Sequence, residues 1–568
     1  MPLYFTQENF IMKPALPILL LSVFGSLLSA AKSPNFIIIY TDDLGYADTS
    51  VQMMDEEPNS KHRFINTPGI ERLAALGARF NAGYSPTPTC TGSRLSIQFG
   101  KSSAQMQYRN VFDVLSPIQR PDGYDDEVTM GEMLKAAGQD YVTAMFGKGC
   151  GTIGRYDESG YDVTDENTPA GNGNGHGIYW NPNTKEPFPE DDPKRLHSLR
   201  RDSVAFINEH AGKQPFFLMV SHYAAHIPFM ATDEAVVRNR KRWIEQGGDV
   251  KQLANAKSKE NKDILYAAMI EEMDMTVGGI IDALKAKGEL DNTYIIFTSD
   301  NGGGYAERRE VNGINERFNG PLQGGKRSMW EGGLRVPTII AGPSIEGGSE
   351  CDVPIVQWDF LPTFHDLSGS NEPLPEGIDG GSLRDVFANG NKGIVERGAP
   401  GIVHHYTCHY HPPISSIIIG DFRLMKQLVS GEMKLFNIKE DYQQEYDLSV
   451  SMPEKVASME AMRQQYVDEV DGGEIEVVYD ALYNLMDEFG RRVRVEYERK
   501  LAELVDENPA GMAARKAALL AEMNDKLKRN AVSKEKSRLY SESDVWKEYP
   551  YAQDAKRNIE AIWVDVIE

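Results

Sequence analysis

Four apolar runs, each broken off abruptly by polar residues, constrain this chain more than any other feature. Phe36-Ile37-Ile38-Ile39-Tyr40 ends in Thr41-Asp42-Asp43, and a run over residues 141–146 ends in Gly147-Lys148. Pro215-Phe216-Phe217-Leu218-Met219-Val220 ends in Ser221-His222-Tyr223-Ala224-Ala225-His226, and Tyr294-Ile295-Ile296-Phe297 ends in Thr298-Ser299-Asp300-Asn301-Gly302. Apolar runs without polar alternation suit strands covered on both faces, as in a parallel sheet. Segments with helical character at residues 130–137, 196–210 and 261–287 stand between them. Strand and helix in alternation predict an α/β fold: a large, mostly parallel sheet flanked by helices. In such sheets ligands bind beyond the carboxyl ends of the strands, where Asp42, Asp43, Lys148, His226, Asp300 and Asn301 stand.

A chain of 568 residues with 41% apolar and 25% charged content can bury one large α/β domain and a smaller one. Its net charge of -24 argues against broad binding to nucleic acid or to an anionic membrane, both of which need a basic surface. An anionic substrate therefore has to meet a local cluster of cations. The four cysteines, Cys90, Cys150, Cys351 and Cys408, are too scattered for a disulfide framework and lack zinc-ligand spacing, although Cys351 and Cys408 are able to pair.

The remaining organisation follows from punctuation. Lys13, the apolar stretch 15–28 and the small residues Ser29-Ala30-Ala31 read as a secretory signal over residues 1–31, too short to span a membrane. The expected location is periplasmic or extracellular. Thr67-Pro68 opens a helix expected to run through Ile70, Leu73, Leu76 and Phe80. A Gly/Asn/Pro-rich stretch between Gly160 and Asp192 reads as loop. The catalytic domain is expected over residues 32–399, with a small antiparallel subdomain at 400–451 around the turn Gly420-Asp421. Residues 452–568, rich in Glu, Lys, Arg, Ala and Leu, read as a helical extension that packs either on the catalytic domain or on another subunit as an oligomer.

Thr87-Pro88-Thr89-Cys90-Thr91-Gly92-Ser93-Arg94 reads as a punctuated turn holding a cysteine, with an arginine four residues on. This stretch resembles the signature of the formylglycine-dependent (type I) sulfatases of the alkaline phosphatase superfamily, Cys-x-Pro-x-Arg, with Gly92 in place of the proline. Two further blocks are similar to that family: Thr298 to Gly302, and the stretch from Leu322 through Gly324-Gly325-Lys326-Arg327 to Arg335-Val336-Pro337. The resemblance covers about residues 34–369, and more weakly reaches 447, but not the tail.

What the resemblance implies is specific. Cys90 would be oxidised by a sulfatase-maturation enzyme to formylglycine, whose hydrate attacks sulfur. Asp42, Asp43, Asp300, Asn301 and the modified Cys90 would hold Ca²⁺, with Mg²⁺ as an alternative. Arg94, Lys148 and Lys326 would surround the sulfate, Asp300 would accept a proton, and His226 would protonate the leaving alcohol. The implied substrate is a sulfated carbohydrate. The alternatives are a phosphodiesterase or phosphonate monoester hydrolase of the same superfamily and a non-catalytic glycan-binding relative. One departure stands out: Gly149-Cys150 occupies the place where the family carries an aromatic residue and a histidine. His176 or the cluster His404-His405-Tyr406-Thr407-Cys408-His409-Tyr410-His411 offers a substitute, and His404 and His405 are read as a wall of the substrate pocket.

Overall fold

In the computed structural model of this protein, residues 32–108, 126–150, 155–165, 191–255, 258–304, 319–406, 414–428 and 430–470 are described, with short pieces at 309–311, 314–316 and 515–523 and a few single positions. The expected signal segment, the loop residue His176, Cys408 with its pairing to Cys351, and most of the tail lie outside the described residues. Among those residues, no helix is long and apolar enough to cross a membrane.

The main sheet contains β1 (Asn35–Asp42), β2 (Gly77–Phe80), β3 (Val142–Gly147), β4 (Val163–Thr164), β5 (Phe216–Ala225), β6 (Thr293–Ser299), β7 (Ile339–Ala341) and β8 (Ser349–Cys351). Across the sheet their order is β8-β2-β7-β6-β1-β5-β3-β4. Neighbours are parallel except β7, which runs against β6 and β2.

The unalternated sequence of β1 is explained by what lies on its two faces. Ile37 and Ile39 enter a core shared with α1 (Pro68–Leu76), α4 (Leu196–His210) and α5 (Lys259–Lys287). Phe36, Ile38 and Tyr40 enter a second core with α3 (Met130–Ala136) and α6 (Phe360–Ser368). Both faces are therefore apolar, and polar groups are confined to the ends of the strand.

Three local expectations change. The helix opened by Thr67-Pro68 stops at Leu76, and Phe80 ends strand β2 instead. Gly77 is the reason: a Cβ there would lie 2.1 Å from the carbonyl oxygen of Ile340, so only glycine lets the chain pass against β7. Cys90 is not held in an open turn but is the first residue of the ten-residue helix α2 (Cys90–Phe99). Finally, β5 runs on past Val220 to Ala225.

The second sheet is antiparallel, in the order β9 (Ile402–Tyr406), β10 (Ile414–Ile419), β11 (Phe422–Gln427) and β12 (Met433–Asn437). Helix α7 (Pro453–Glu469) covers one of its faces, with Met459, Tyr466 and Val467 packed among Val403, Ile417, Leu424 and Leu435.

A buried ion cluster ties Tyr84 and the segment 331–335 to strand β11 of the second sheet. The Glu331 carboxylate accepts from Arg335 Nε at 2.7 Å, Arg423 Nη1 at 2.6 Å and Tyr84 OH at 2.8 Å. Burial opposes its charge, but the two guanidinium groups outweigh burial and hold its pKa below the usual carboxylate range. Removing the anion would strand two buried cations. Glu331→Ala is expected to cost about 3–5 kcal/mol, read as a fall in the urea midpoint, with Glu331→Gln milder because it keeps the polar contacts.

Candidate active site

Adjacent strands β6, β1, β5 and β3 are parallel, so they deliver their carboxyl ends to one edge. β1 supplies Asp42 and leads into Asp43, β6 leads into Asp300 and Asn301, β3 into Lys148, and β5 supplies Ser221 and leads into His226. The β1–β5 register shifts between Tyr40 and Asp42, which lies opposite Ala225. Beyond it Asp43 takes a left-handed backbone, φ 62°, which an aspartate tolerates better than most residues.

Each carboxylate at this edge meets a cation. Lys148 Nζ lies 2.6 Å from Asp42 Oδ2, and Lys326 Nζ lies 2.6 Å from Asp43 Oδ1. Arg94 donates to Asp300 Oδ2 from Nε at 2.9 Å and from Nη2 at 2.7 Å. Its Nη1 donates to the Lys148 carbonyl at 2.8 Å and to Ser221 Oγ, and the guanidinium lies over the Tyr40 ring, 5.0 Å from the centroid. Arg94 thus fixes an aspartate and the lysine-bearing turn at the same time.

The electrostatics follow from crowding. Burial opposes ionisation of Asp42, yet Lys148, His226, Arg94 and Lys326 hold its carboxyl well below the ordinary range. Asp300 is pushed up to about 7, first by burial and then by the charge of Asp42, with Arg94 opposing. Lys148 and Lys326 are both raised: burial works against their charge, and the neighbouring aspartates overcome it.

Cys90 sits at the mouth of this cluster because α2 begins there. Thr87 Oγ1 donates to the carbonyl of Thr89 at 2.7 Å, and Ser93 Oγ donates to that of Thr87 at 3.0 Å, closing the chain just before the helix. Arg94 falls one turn later on the same face. The free amides and dipole of the helix N-terminus favour negative charge at Cys90.

The glycine block brings in Lys326. A Cβ on Gly302 would lie 1.9 Å from the Gly332 carbonyl oxygen, so the two segments touch backbone to backbone. Lys326 N donates to Gly303 O at 3.1 Å, and Arg327 N donates to Pro88 O at 2.7 Å, which ties the lysine loop both to the Asn301 turn and to the Cys90 turn.

The residues fit a divalent cation. Ligand atoms of Asp42, Cys90 and Asp300 lie within 4.8 Å of one another, all at buried or half-buried positions. Asn301 is fully buried; its Nδ2 donates to Asp43 Oδ1 at 2.8 Å and to Gly302 O at 2.8 Å, while its Oδ1 has no hydrogen-bond partner. A buried acceptor left over beside crowded carboxylates is what a hard cation satisfies.

His226 borders a cavity of about 190 Å³ lined by Asp43, Ile227, Phe229, Tyr266, Lys326 and Arg327, among others. Its Nε2 lies 3.6 Å from Asp43 Oδ2, and its Nδ1 lies 2.6 Å from the Ile227 carbonyl oxygen. A carbonyl only accepts, so Nδ1 carries a proton. Burial lowers the imidazole pKa, against the pull of Asp42 and Asp43.

Other expectations part from the geometry. His404 is fully buried, 3.0 Å from the Ser85 carbonyl oxygen through Nε2, with its pKa pushed down to about 3 by burial. His405 is also buried, and its Nδ1 lies 3.0 Å from Ser415 Oγ. Neither forms a pocket wall, because strand β9 turns them into the interior. Cys150 is buried too: its amide donates to Tyr156 OH at 2.9 Å, and its Sγ lies 3.8 Å from the Thr91 carbonyl oxygen. The site also holds two residues that the sequence reading did not single out, Ser221 and Lys194. Ser221 was detectable as the first polar residue after an apolar run. Lys194, in a charged and proline-bearing stretch, carried no such signal.

A family model described as Sulfatase matches residues 34–370. Arylsulfatase A of Homo sapiens is 28% identical over 395 residues, covering 64% of this chain and 70% of that protein. A sulfatase of Formosa agariphila is 27% identical over 433 residues, 63% and 73% of the two chains. The solved structure of Ps i-CgsB in complex with k-i-k-neocarrahexaose shares the fold at TM-score 0.60 and 24% identity, covering 77% of this chain and 93% of that one.

Two outcomes are expected. In protein freed of metal, Ca²⁺ or Mg²⁺ at about 100 times its Kd should stabilise by roughly 2.7 kcal/mol, read as a rise in Tm, and Asn301→Ala should shrink that rise. Gly92 allows no side chain, since a Cβ would lie 2.6 Å from the Tyr108 ring. Gly92→Ala should therefore lower stability by about 1–3 kcal/mol in thermal unfolding.

Proposed function

Since this chain belongs to the sulfatase family, the formylglycine-dependent sulfuric ester hydrolases of the alkaline phosphatase superfamily, we propose that it is an exported sulfatase that removes sulfate from a carbohydrate. One observation carries this reading: Asp42, Asp43, Asp300, Asn301, Cys90, Lys148 and Lys326 converge on one sheet edge, ordered for a divalent cation and a tetrahedral anion. Relatives support the carbohydrate. One structural neighbour holds a carrageenan hexaose, another holds D-glucosamine-2-N,6-O-disulfate as its substrate, and a relative 28% identical to this chain is an N-acetylgalactosamine-6-sulfatase of Mus musculus. Export is supported by the leader-like composition of residues 1–31.

When present, the formylglycine derived from Cys90 supplies an oxygen nucleophile, and the cation, Ca²⁺ in this reading, withdraws charge from the sulfuryl oxygens. The protein's own groups do the rest. Lys148 and Lys326 hold positive charge where the sulfuryl oxygens gain negative charge, already ordered by Asp42 and Asp43. Arg94 keeps Asp300 and the Lys148 turn in place. His226, on the cavity side, holds a proton for the departing alcohol oxygen. The anionic ester itself favours the charged imidazole that this role needs. Cys150 brings no imidazole to the nucleophile, and among the described residues neither His404 nor His405 replaces it.

The test joins a mass measurement to paired assays. The Cys90 peptide from the native host should carry the aldehyde mass. Cys90→Ala should abolish hydrolysis of an aryl sulfate, which the unaltered protein should prefer to an aryl phosphodiester. Preference for the phosphodiester would move the protein to the phosphodiesterase class. An unmodified thiol with binding of sulfated glycan but no turnover would make it a glycan-binding relative.

A further inference from the structure

Lys194 is fully buried in a turn just before α4, and its Nζ donates to the carbonyl oxygens of His226 and Pro228, the second at 3.2 Å. The conformation that points it inward is unusual: Lys194 and Arg195 both take left-handed backbones, φ 52° and 59°, which residues with a Cβ adopt reluctantly. Arg195 anchors the turn through Asp165, its Nη1 2.6 Å from Asp165 Oδ2, and that same oxygen accepts from Gly147 N at 2.7 Å. The turn is therefore bonded to the ends of both β3 and β5.

The carbonyl lying between the two that Lys194 holds is that of Ile227, the acceptor of the His226 ring proton. Ile227 is 61% exposed, so its own side chain packs too little to fix this peptide. The orientation of the imidazole, with Nε2 toward Asp43 and the cavity, rests on a backbone segment that a single amine clamps at both ends. Burial also pushes the Lys194 pKa down to about 7, while Lys148 and Lys326 repel its charge and Asp42 and Asp43 attract it. A buried amine is an expensive way to brace a turn unless its geometry matters, since an apolar side chain of similar size would fill the space.

We infer that Lys194 is a positioning residue for proton transfer: through the carbonyls of His226 and Pro228 it aims His226 Nε2 at the oxygen of the departing alcohol. The inference rests on His226 as the proton donor.

The test compares two sulfate esters. 4-Nitrophenyl sulfate expels a stable anion and needs no proton, whereas a sugar or alkyl sulfate needs one. On the matured holoenzyme, His226→Ala should lower kcat/KM for the sugar ester by about 10²–10⁴-fold and that for the nitrophenyl ester only a few-fold. Lys194→Met should show the same selectivity, at least about 10-fold against the sugar ester, and should add little on top of His226→Ala in the double variant. Lys194→Gln, which keeps one donor group, should fall between and serves as the comparison if Lys194→Met does not fold. Equal losses on both esters, or losses additive with His226→Ala, would overturn the inference while leaving His226 as the donor. A His226→Ala defect that ignores the leaving group would overturn the donor role itself, and the inference with it.

Discussion

Parallel strands release the chain at a shared edge, and here that geometry forces three carboxylates, Asp42, Asp43 and Asp300, into one largely water-free volume. Left alone they would repel one another and resist ionisation. The site answers with one cation for each: Lys148, Lys326 and Arg94. These cations arrive from separate parts of the chain, a strand end, a glycine-walled loop and the first helix turn after Cys90. Much of the local architecture serves to bring them there. The backbone crossing at Gly302 and Gly332 brings Lys326 in, and the start of α2 brings Arg94 and Cys90 together.

The same balance would let one site serve both a metal and an anion. A cation held between the carboxylates would share their oxygens with Lys148 and Lys326, which those same carboxylates keep ordered toward an anionic ester. Pairs that are this buried bring little net stability over an apolar replacement, so they do not account for the folding of the sheet.

The fold was legible because burial on both faces leaves a plain mark on a strand. Ile37 and Ile39 face one core and Phe36 and Ile38 the other, which is why β1 reads as an unbroken apolar run. The polar groups gathered at the strand ends were legible for the complementary reason, since polar residues at a switch from apolar run to loop have few other places to go. What escaped the sequence depends on long-range packing. Gly77 ends a helix only because β7 passes beside it, and the histidines of β9 read as a polar cluster until Tyr84 and Trp358 are seen beside His404. Lys194 was hidden because nothing in Pro193-Lys194-Arg195 distinguishes a buried amine from a solvated one.

Asp43 is constrained by its backbone as well as its carboxylate. Its left-handed φ of 62° admits glycine, asparagine and aspartate with least strain, while its contacts with Lys326, Asn301 and His226 call for a short acidic side chain. Asparagine would suit the backbone and lose the charge; glutamate would keep the charge at the wrong reach on a backbone it resists. No other amino acid meets both demands, so any substitution at this position gives up either the backbone fit or the charge.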